Sequence, residues 1–285
     1  MSFHYQITLN SPQHRRPILL DLTLPVVGQS LPLVILVHGF KGFKDWGAFP
    51  SLANYFSEAG FAFAKFNFSH NGTTPAQPSD FVDLEAFGNN NFELELDDLG
   101  IVLDKLLNFQ LFKVSFVCLI GHSRGGGVAL LKAAEDPRVQ AVCTWASIAD
   151  IRMNFDRQDV VEVWKKQGVV YVPNARTNQQ MPLYFQLYEN TMQNWARFDL
   201  EALLPKIKVP ILAFHGTEDK AVPLSDAYKI KAAQKNVLLE VIEGADHTFG
   251  VKHPLQAEGW PPHFTELANK TLQFFAQLSG STSRA

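Results

Sequence analysis

The stretch of residues 119–127 constrains the fold more than any other feature of the sequence. Residues 114–120 form an apolar, strand-forming run, and the apolar residues 128–134 are typical of a helix. Between them lies Gly121-x-Ser123-x-Gly125. Because glycine has no Cβ, these glycines allow a strand and a helix to pass close together through a sharp turn. The sequence therefore predicts a strand, turn and helix, with Ser123 on the turn at the start of the helix.

A serine held on such a turn is suited to act as a nucleophile. The backbone N–H of Arg124, one of the unpaired donors at the N-terminus of the helix, would then point toward an oxyanion formed on Ser123. The alternative interpretation is that the glycines only form a tight turn and that Ser123 caps the helix. A match to three positions is a hypothesis until its structural context is known.

Strand-like and helix-like segments alternate along most of the chain. The predicted strands of this alternation span residues 31–37, 61–68, 114–120, 139–145, 210–216 and 237–242. The predicted helices lie near residues 49–59, 92–107, 128–134 and 225–234 and after Pro262. Two further strands, at 4–9 and 18–24, are expected to pair antiparallel at an edge. The alternation predicts an α/β fold: a mostly parallel, twisted sheet with helices on both faces.

The alternation is interrupted between residues 147 and 208. This segment is rich in aromatic residues and is longer than a strand and helix require, so we predict an inserted cap of helices and a short hairpin. The core of the fold is then expected in two parts, residues 1–146 and 209–285.

Composition limits the classes of protein. The 285 residues are 46% hydrophobic and 19% charged, enough for one sizeable core carrying an insertion. A net charge of −3, without a basic stripe, argues against nucleic acid as a partner. The acidic and histidine residues show no metal-ligand spacing, so we expect neither a metal nor another cofactor. Cys118 and Cys143 lie in apolar runs and are predicted to be buried thiols, as suits the cytoplasm.

Targeting signals are not apparent in the sequence. No apolar run approaches the roughly 20 residues that span a bilayer, so we expect no membrane span. The pair Arg15 and Arg16 is not followed by an export signal, and we expect the N-terminal residues to belong to the mature protein. Residues 279–285 are small and polar and are predicted to be disordered.

A serine nucleophile needs a base, and the base needs an acid that holds its tautomer. Asp219 follows the predicted strand 210–216, and His247 follows the strand 237–242. Strand C-termini border the crevice of an open α/β sheet, so both side chains are expected beside Ser123. The adjoining carboxylates, Glu218 and Asp246, remain alternatives for the acid.

The other histidines are assigned different environments. His253 and His263 lie beside prolines and are predicted to be surface residues. His122 is expected to point away from the nucleophile, and His38 and His215 are expected to hydrogen-bond loop backbone rather than take part in chemistry.

Ser123, Asp219 and His247, in this order and with His38-Gly39-Phe40 upstream, resemble the α/β-hydrolase family over nearly the whole chain. The loop and the short cap resemble carboxylesterases of the cinnamoyl and feruloyl esterase type, and also their prolyl-oligopeptidase-like relatives. The resemblance implies an acyl-enzyme on Ser123 and a second oxyanion donor, the N–H of Phe40, opposite that of Arg124.

The implied substrate is a small-molecule ester with a small, medium-sized or aromatic acyl group. Phe43, Tyr171 and Tyr184 are predicted to line the acyl pocket, although packing within the cap is the alternative for any one aromatic residue there. A peptidase, thioesterase or acyltransferase using the same triad remains an alternative, as does a binding protein on an inactive hydrolase scaffold. The sequence leaves homo-oligomer formation open.

Overall fold

A computed structural model describes residues 2–12, 16–152, 155, 157–255 and 259–280. Arg15 of the arginine pair therefore lies outside the described residues, as do residues 281–285 of the predicted tail. Ser279 is still the last residue of the C-terminal helix.

Eight of the strands in these described ranges form one sheet. In chain order they are β1 (Phe3–Asn10), β2 (Pro17–Leu24), β3 (Ser30–Val37), β4 (Ala62–Asn67), β5 (Lys113–His122), β6 (Ala141–Trp145), β9 (Ile211–Gly216) and β10 (Val237–Ile242). Their order across the sheet is β1-β2-β4-β3-β5-β6-β9-β10. The pairs β1/β2 and β2/β4 are antiparallel, and the pairs from β4 to β10 are parallel. The predicted α/β fold with a mostly parallel sheet is confirmed.

Helices cover both faces of the sheet. The helices are α1 (Phe49–Glu58), α2 (Leu84–Gly88), α3 (Phe92–Leu107), α4 (Arg124–Glu135), α5 (Gln158–Gln167), α6 (Gln186–Gln193), α7 (Trp195–Phe198), α8 (Leu200–Leu203), α9 (Leu224–Ala233) and α10 (Pro262–Ser279). Strand β3 shows how the sheet divides the core. Leu33 and Ile35 pack with α3 and α4 on one face, and Val34 and Leu36 pack with α1 and α10 on the other. A strand buried on both faces must be apolar throughout, as β3 is.

Local sequence determines where the helices next to the site begin. The side chain of Asn91 accepts a hydrogen bond from the N–H of Leu94 at 2.9 Å, which caps α3 as predicted. Helix α4 starts at Arg124, four residues earlier than the predicted 128. The three glycines 125–127 have low helix propensity and conceal this first turn in the sequence.

The order of the strands brings the functional loops together. The chain passes from β3 to β4 on one side of β3 and then returns to β5 on the other side. This reversal makes the C-terminal ends of β3 and β5 a topological switch point, where a crevice opens. The loop after β3 begins at His38, and the turn after β5 carries Ser123.

The segment between β6 and β9 contains α5 to α8 and a hairpin of β7 (Val169–Asn174) and β8 (Gln179–Tyr184). Three of its side chains, Trp164, Leu187 and Phe198, are buried in the same hydrophobic cluster as α3 and α4. The predicted cap boundaries, 147 and 208, stay a prediction, but this segment is packed onto the sheet layer rather than detached from it.

Cys118 and Cys143 are both buried free thiols, as predicted. Burial raises the pKa of Cys143 to about 12, which disfavours the reactive thiolate form. Within the described ranges, no helix has the length and apolar character needed to cross a membrane.

Candidate active site

Ser123 lies on a strained turn between β5 and α4. Its backbone has φ 56° and ψ −123°, a conformation that residues other than glycine rarely adopt. A Cβ on Gly121 would lie 2.4 Å from the carbonyl oxygen of Gly125, and a Cβ on Gly125 would lie 2.3 Å from that of Val37. The glycines are therefore required by backbone contact. Strain of this kind costs about 1–3 kcal/mol and is concentrated at functional sites.

Asp219 and His247 meet at the edge of the sheet where β9 and β10 end. The Nδ1–H of His247 donates to Oδ2 of Asp219 at 2.8 Å. Oδ1 of Asp219 accepts from the N–H groups of Ala221 and Val222, at 2.8 and 2.9 Å. The Asp219 side chain is fully buried, and Nε2 of His215 lies 3.4 Å from its Oδ2. The carboxylate is thus surrounded by donors.

These donors determine the charge of Asp219. Burial alone would raise its pKa, but hydrogen bonds from His215, His247 and the N–H of Val222 outweigh burial and hold the pKa of Asp219 well below its usual range. An ionised carboxylate only accepts, so Nδ1 of His247 carries the proton and Nε2 is left with a free lone pair. This is the tautomer that a general base requires.

His122 connects this pair to the serine turn. Its Nε2–H donates to the carbonyl oxygen of His247 at 2.9 Å, and the two rings lie 4.8 Å apart. His247 therefore lies beside the residue that precedes Ser123. Among the described residues no hydrogen bond joins His247 to Oγ of Ser123; such contacts commonly tighten when substrate binds. The contact of His122 with His247 was not foreseen from the sequence.

Residues 38–46, which we call the oxyanion loop, lie against Ser123. A Cβ on Gly39 would be 2.9 Å from Cβ of Ser123, so only glycine fits there. The carbonyl of Gly39 accepts from Nδ1 of His38 at 2.9 Å and from the N–H of Gly42 at 3.0 Å. His38 thus bonds loop backbone, as predicted. In the described chain, the N–H groups of Phe40 and Arg124 have no protein acceptor and remain available.

Four alternating charges, two of them on this loop, form what we call the Lys44 ring: Asp21, Lys44, Asp45 and Lys65. Nζ of Lys44 lies 2.6 Å from Asp21 and 2.5 Å from Asp45; Nζ of Lys65 lies 2.6 Å from Asp21 and also contacts Asp45. Both lysine side chains are under 10% exposed, at 5% and 8%. The ring attaches the loop to β2 and β4. The sequence does not predict this ring, because its members are spread over 44 positions and share no motif.

The three predicted pocket residues lie in different environments. Phe43 is completely buried, with its ring against Phe81 and His253. Tyr171 is 60% exposed on β7, and the hydroxyl of Tyr184 donates to Glu85 at 2.5 Å. These positions suggest that Phe43 packs within the core and that Tyr184 attaches the β7–β8 hairpin, rather than that either lines a pocket. None of the observed contacts joins the three to Ser123.

The alternative acids and histidines also have defined positions. Glu218 is exposed, and Asp246 accepts from the N–H groups of Thr248 and Gly250 at 3.0 and 2.8 Å, which organises the turn after His247. The one proton on Nε2 of His215 is shared: it is donated to the carbonyl oxygen of Val222 at 2.9 Å, as predicted, and more weakly to Asp219 at 3.4 Å.

His253, predicted to be a surface residue, is partly exposed. Its ring is half-buried against Trp46, and its Nδ1 accepts from the N–H of Gly47 at 2.9 Å. His263, also predicted at the surface, is half-buried.

This fold and site define an α/β hydrolase. A model of the alpha/beta hydrolase family matches residues 34–257, well over half of the chain. The protein therefore belongs to the alpha/beta hydrolase family.

Two curated relatives illustrate the range of similar proteins. The chain is 26% identical over 164 residues to 2,6-dihydropseudooxynicotine hydrolase of Paenarthrobacter nicotinovorans, covering 56% of this chain and 41% of that protein. It is 23% identical over 235 residues to putative esterase/lipase 2 of Mycoplasma genitalium, covering 75% of this chain and 81% of that one. Several curated relatives, the first of these included, are matched over only about two fifths of their own length.

A solved structure shows the same fold. Est1E from Butyrivibrio proteoclasticus with ferulic acid bound has a TM-score of 0.71 and 17% identity, over 96% of this chain and 99% of that one. The structural similarity extends over almost the whole of both chains and shows that the two proteins share a fold.

Proposed function

We propose that this protein is a serine hydrolase of carboxylic esters. The observation that carries the proposal is the Asp219–His247 hydrogen bond, located at the same edge of the sheet as the strained turn of Ser123. In this proposal Ser123 is the nucleophile, His247 the general base and Asp219 the acid that holds its tautomer.

In acylation, Nε2 of His247 takes the proton of Ser123 as Oγ attacks the ester carbonyl carbon. The π electrons of the carbonyl move to its oxygen, and that oxyanion accepts hydrogen bonds from the N–H groups of Phe40 and Arg124. When the intermediate collapses, the bond to the alcohol oxygen breaks and the imidazolium of His247 protonates the leaving alcohol. Ser123 then carries the acyl group.

In deacylation, His247 removes a proton from water, which attacks the acyl carbon and regenerates the oxyanion. Collapse breaks the bond to Oγ, and the proton on His247 returns to Ser123. The products are a carboxylic acid and an alcohol. The triad supplies the nucleophile and the base, and the two N–H groups stabilise the oxyanion, so the proposed reaction does not use a metal. We therefore expect the activity to withstand EDTA. Loss of activity in EDTA that a divalent metal restores would contradict this.

We further propose an aromatic or medium-sized acyl group. Its support is the aromatic ring of Phe40 at the expected oxyanion hole and the ferulic acid bound by Est1E, a protein of the same fold. The cytoplasm stays the proposed location, supported by two buried free thiols.

The first test is labelling by a fluorophosphonate probe, followed by mapping of the modified peptide. We expect a single adduct on Ser123, absent from Ser123→Ala. The second test compares phenyl esters, thioesters and aminoacyl amides of matched acyl groups by kcat/KM. Esters should be the best substrates; a preference for aminoacyl amides would assign the same triad to a peptidase. An unlabelled, inactive protein would favour a binding function.

A further inference from the structure

His215 lies near the end of β9, four residues before Asp219, and is completely buried. Its Nε2 faces two acceptors on the loop that follows the strand: the carbonyl oxygen of Val222 at 2.9 Å and Oδ2 of Asp219 at 3.4 Å. Because both of these groups accept, Nε2 carries the proton of the ring. Nδ1 has no hydrogen-bond partner in the described part of the chain, so we ascribe the polar role of this ring to Nε2.

Residues 216–222, which we call the acid loop, are closed by this histidine. The N–H of Val222 donates to Oδ1 of Asp219 at 2.9 Å, while the carbonyl of Val222 accepts from His215. The N–H of Asp219 points back to the carbonyl oxygen of Gly216 at 3.4 Å. His215 therefore fixes Asp219 in two ways, directly at Oδ2 and through the end of the loop that binds Oδ1.

The oxygen that His215 contacts is the one that holds the proposed base. Oδ2 of Asp219 also accepts from Nδ1 of His247, at 2.8 Å. Two imidazole N–H groups thus share one carboxylate oxygen in a position where the Asp219 side chain is closed to water. Away from water, no solvent molecule can replace a lost donor, so the orientation of the carboxylate depends on these protein contacts.

The electrostatics of Asp219 agree with this geometry. Burial by itself raises the pKa of Asp219, and the hydrogen bond from His215 is the largest of the contacts that lower it. A carboxylate that is kept ionised can only accept, which is the state that holds the proton of His247 on Nδ1.

We propose that His215 is a positioning residue of the site, which acts through Asp219 by holding its carboxylate in the orientation that His247 requires. This inference rests on the proposed function, because it assumes that Asp219 and His247 belong to the triad. The sequence indicates only that His215 bonds loop backbone; the contact with Oδ2 adds the second role.

The first test replaces His215 by two residues of comparable size. Leucine removes the donor, whereas the amide nitrogen of glutamine lies close to the position of Nε2 and can donate to the same acceptors. For a phenyl ester we expect His215→Leu to lower kcat by about 10- to 100-fold, the cost of misplacing a reactive group, with KM little changed. His215→Gln should recover most of this kcat. His215→Asn, whose shorter amide does not reach the two acceptors, should resemble His215→Leu and repeats the test with a polar side chain.

The second test is a double-mutant cycle with Asp219→Asn. If His215 acts through the carboxylate, His215→Leu should change kcat by less than about twofold in the Asp219→Asn background, although it costs far more in the wild type. A purely structural role would lower kcat by the same factor in both backgrounds.

Ser57→Ala is the matched control. Ser57 is buried in α1, and its hydroxyl donates to that of Ser2 at 2.9 Å, so this variant loses a buried hydrogen bond away from Asp219. We expect a lower urea midpoint with unchanged kcat and KM. NMR of isotope-labelled histidines adds a measurement that does not depend on catalysis: the His215 signals, assigned by their absence from His215→Gln, should show the proton on Nε2.

The outcomes separate this inference from the proposed function. Failure of the fluorophosphonate probe to label Ser123 in the wild type would overturn the proposed function, and this inference with it. With Ser123 labelled, wild-type kcat in His215→Leu, equal losses in both backgrounds of the cycle, or no recovery in His215→Gln would overturn this inference alone. A His215 ring with its proton on Nδ1 would do the same, since Nε2 could then not donate.

Discussion

Asp219 illustrates how one buried carboxylate is kept ionised. Two histidines and two backbone N–H groups surround it, so its negative charge is stabilised although water is excluded. The adjacent loop has a second candidate, Asp246, whose Oδ1 accepts from the turn that follows it. The contrast between the two carboxylates leads to a matched pair of substitutions.

We expect Asp219→Asn to lower kcat for an ester by several orders of magnitude, roughly 10⁴-fold, because an amide can hold His247 in the wrong tautomer. Asp246→Asn should lower kcat only severalfold, since it perturbs a turn. Steady-state kinetics, with circular dichroism to verify folding, measures both. A near-active Asp219→Asn beside an inactive Asp246→Asn would reverse the assignment of the acid.

At the residue scale, the sequence indicates which candidate side chains share one edge of the sheet, but not which contacts they make. Ser123, Asp219 and His247 each follow the end of a strand, and the ends of parallel strands lie at one edge of the sheet regardless of how their side chains pack. The bond from His122 to the backbone of His247 spans 125 positions and depends on how two loops pack. The same is true of the buried ion pair of Arg124 with Glu95, whose Nε and Oε2 lie 3.0 Å apart. No local pattern encodes such contacts.

At the scale of elements, the Lys44 ring holds the oxyanion loop to strands β2 and β4. The loop also carries Lys41, a residue with a positive φ of 56°, whose Nζ donates to the carbonyl of Pro173 in β7 at 3.0 Å. The N–H of Lys44 itself donates to the side chain of Asn67 at the end of β4, at 2.6 Å. The loop is thus anchored to the sheet on one side and to the hairpin on the other.

Lys65→Met should therefore affect both stability and catalysis. Removing one cation leaves Asp21 and Asp45 facing each other with only Lys44 between them, and breaking a buried pair costs roughly 3–5 kcal/mol. We also expect kcat to fall more than KM rises, because the N–H of Phe40 is displaced from the oxyanion. Lys270→Met, in an exposed pair with Glu240, is the control and should change stability by less than about 1 kcal/mol. Equal urea midpoints for the two variants would contradict this role of the ring.

The hairpin β7–β8 is attached to the core through Gly88 in α2. A Cβ at Gly88 would lie 2.8 Å from the ring of Tyr184, the residue whose hydroxyl bonds Glu85. Gly88→Ala should therefore displace the hairpin and speed amide exchange in β7 and β8. Gly100→Ala, on the solvent-accessible side of α3 with its nearest neighbour at 3.6 Å, should instead stabilise the protein by up to about 1 kcal/mol. Unchanged exchange in Gly88→Ala would show that Tyr184 does not hold the hairpin.

Helices and strands were predictable where a local sequence pattern determines them. The apolar run of β3 and the Asn91 cap of α3 are local signals, and both are confirmed. Helix α2 was missed because five residues are too few for a periodic pattern. The positions of Phe43 and Tyr171 were not predictable either, since an aromatic side chain in a loop or in a long insertion can face the substrate, the protein core or solvent.

At the scale of the whole molecule, the active-site loops are built on two neutral histidines, His38, which is buried, and His122, which is half-buried. Burial lowers the pKa of His38 to about 4, and burial together with the neighbouring His247 lowers that of His122 to about 3. Both rings hold loop backbone: His38 bonds Gly39, and His122 bonds His247. Protonating either ring in the folded state would place a charge in a site with few acceptors.

Stability should therefore fall as the solution is made acidic, well before the carboxylates titrate. An unfolded histidine has a pKa near 6.5, so between that pH and about 4 the unfolded chain binds a proton at position 38 that the folded chain does not. Stability from this group is complete above pH 6.5 and is lost as the pH falls, by about 1.4 kcal/mol per pH unit.

The measurement is urea unfolding between pH 8 and pH 5. We expect the slope of unfolding free energy against pH to decrease in His38→Gln and in His122→Gln, because glutamine keeps a donor and an acceptor but does not titrate. Slopes equal to that of the wild type would mean that these histidines are not buried in their neutral form.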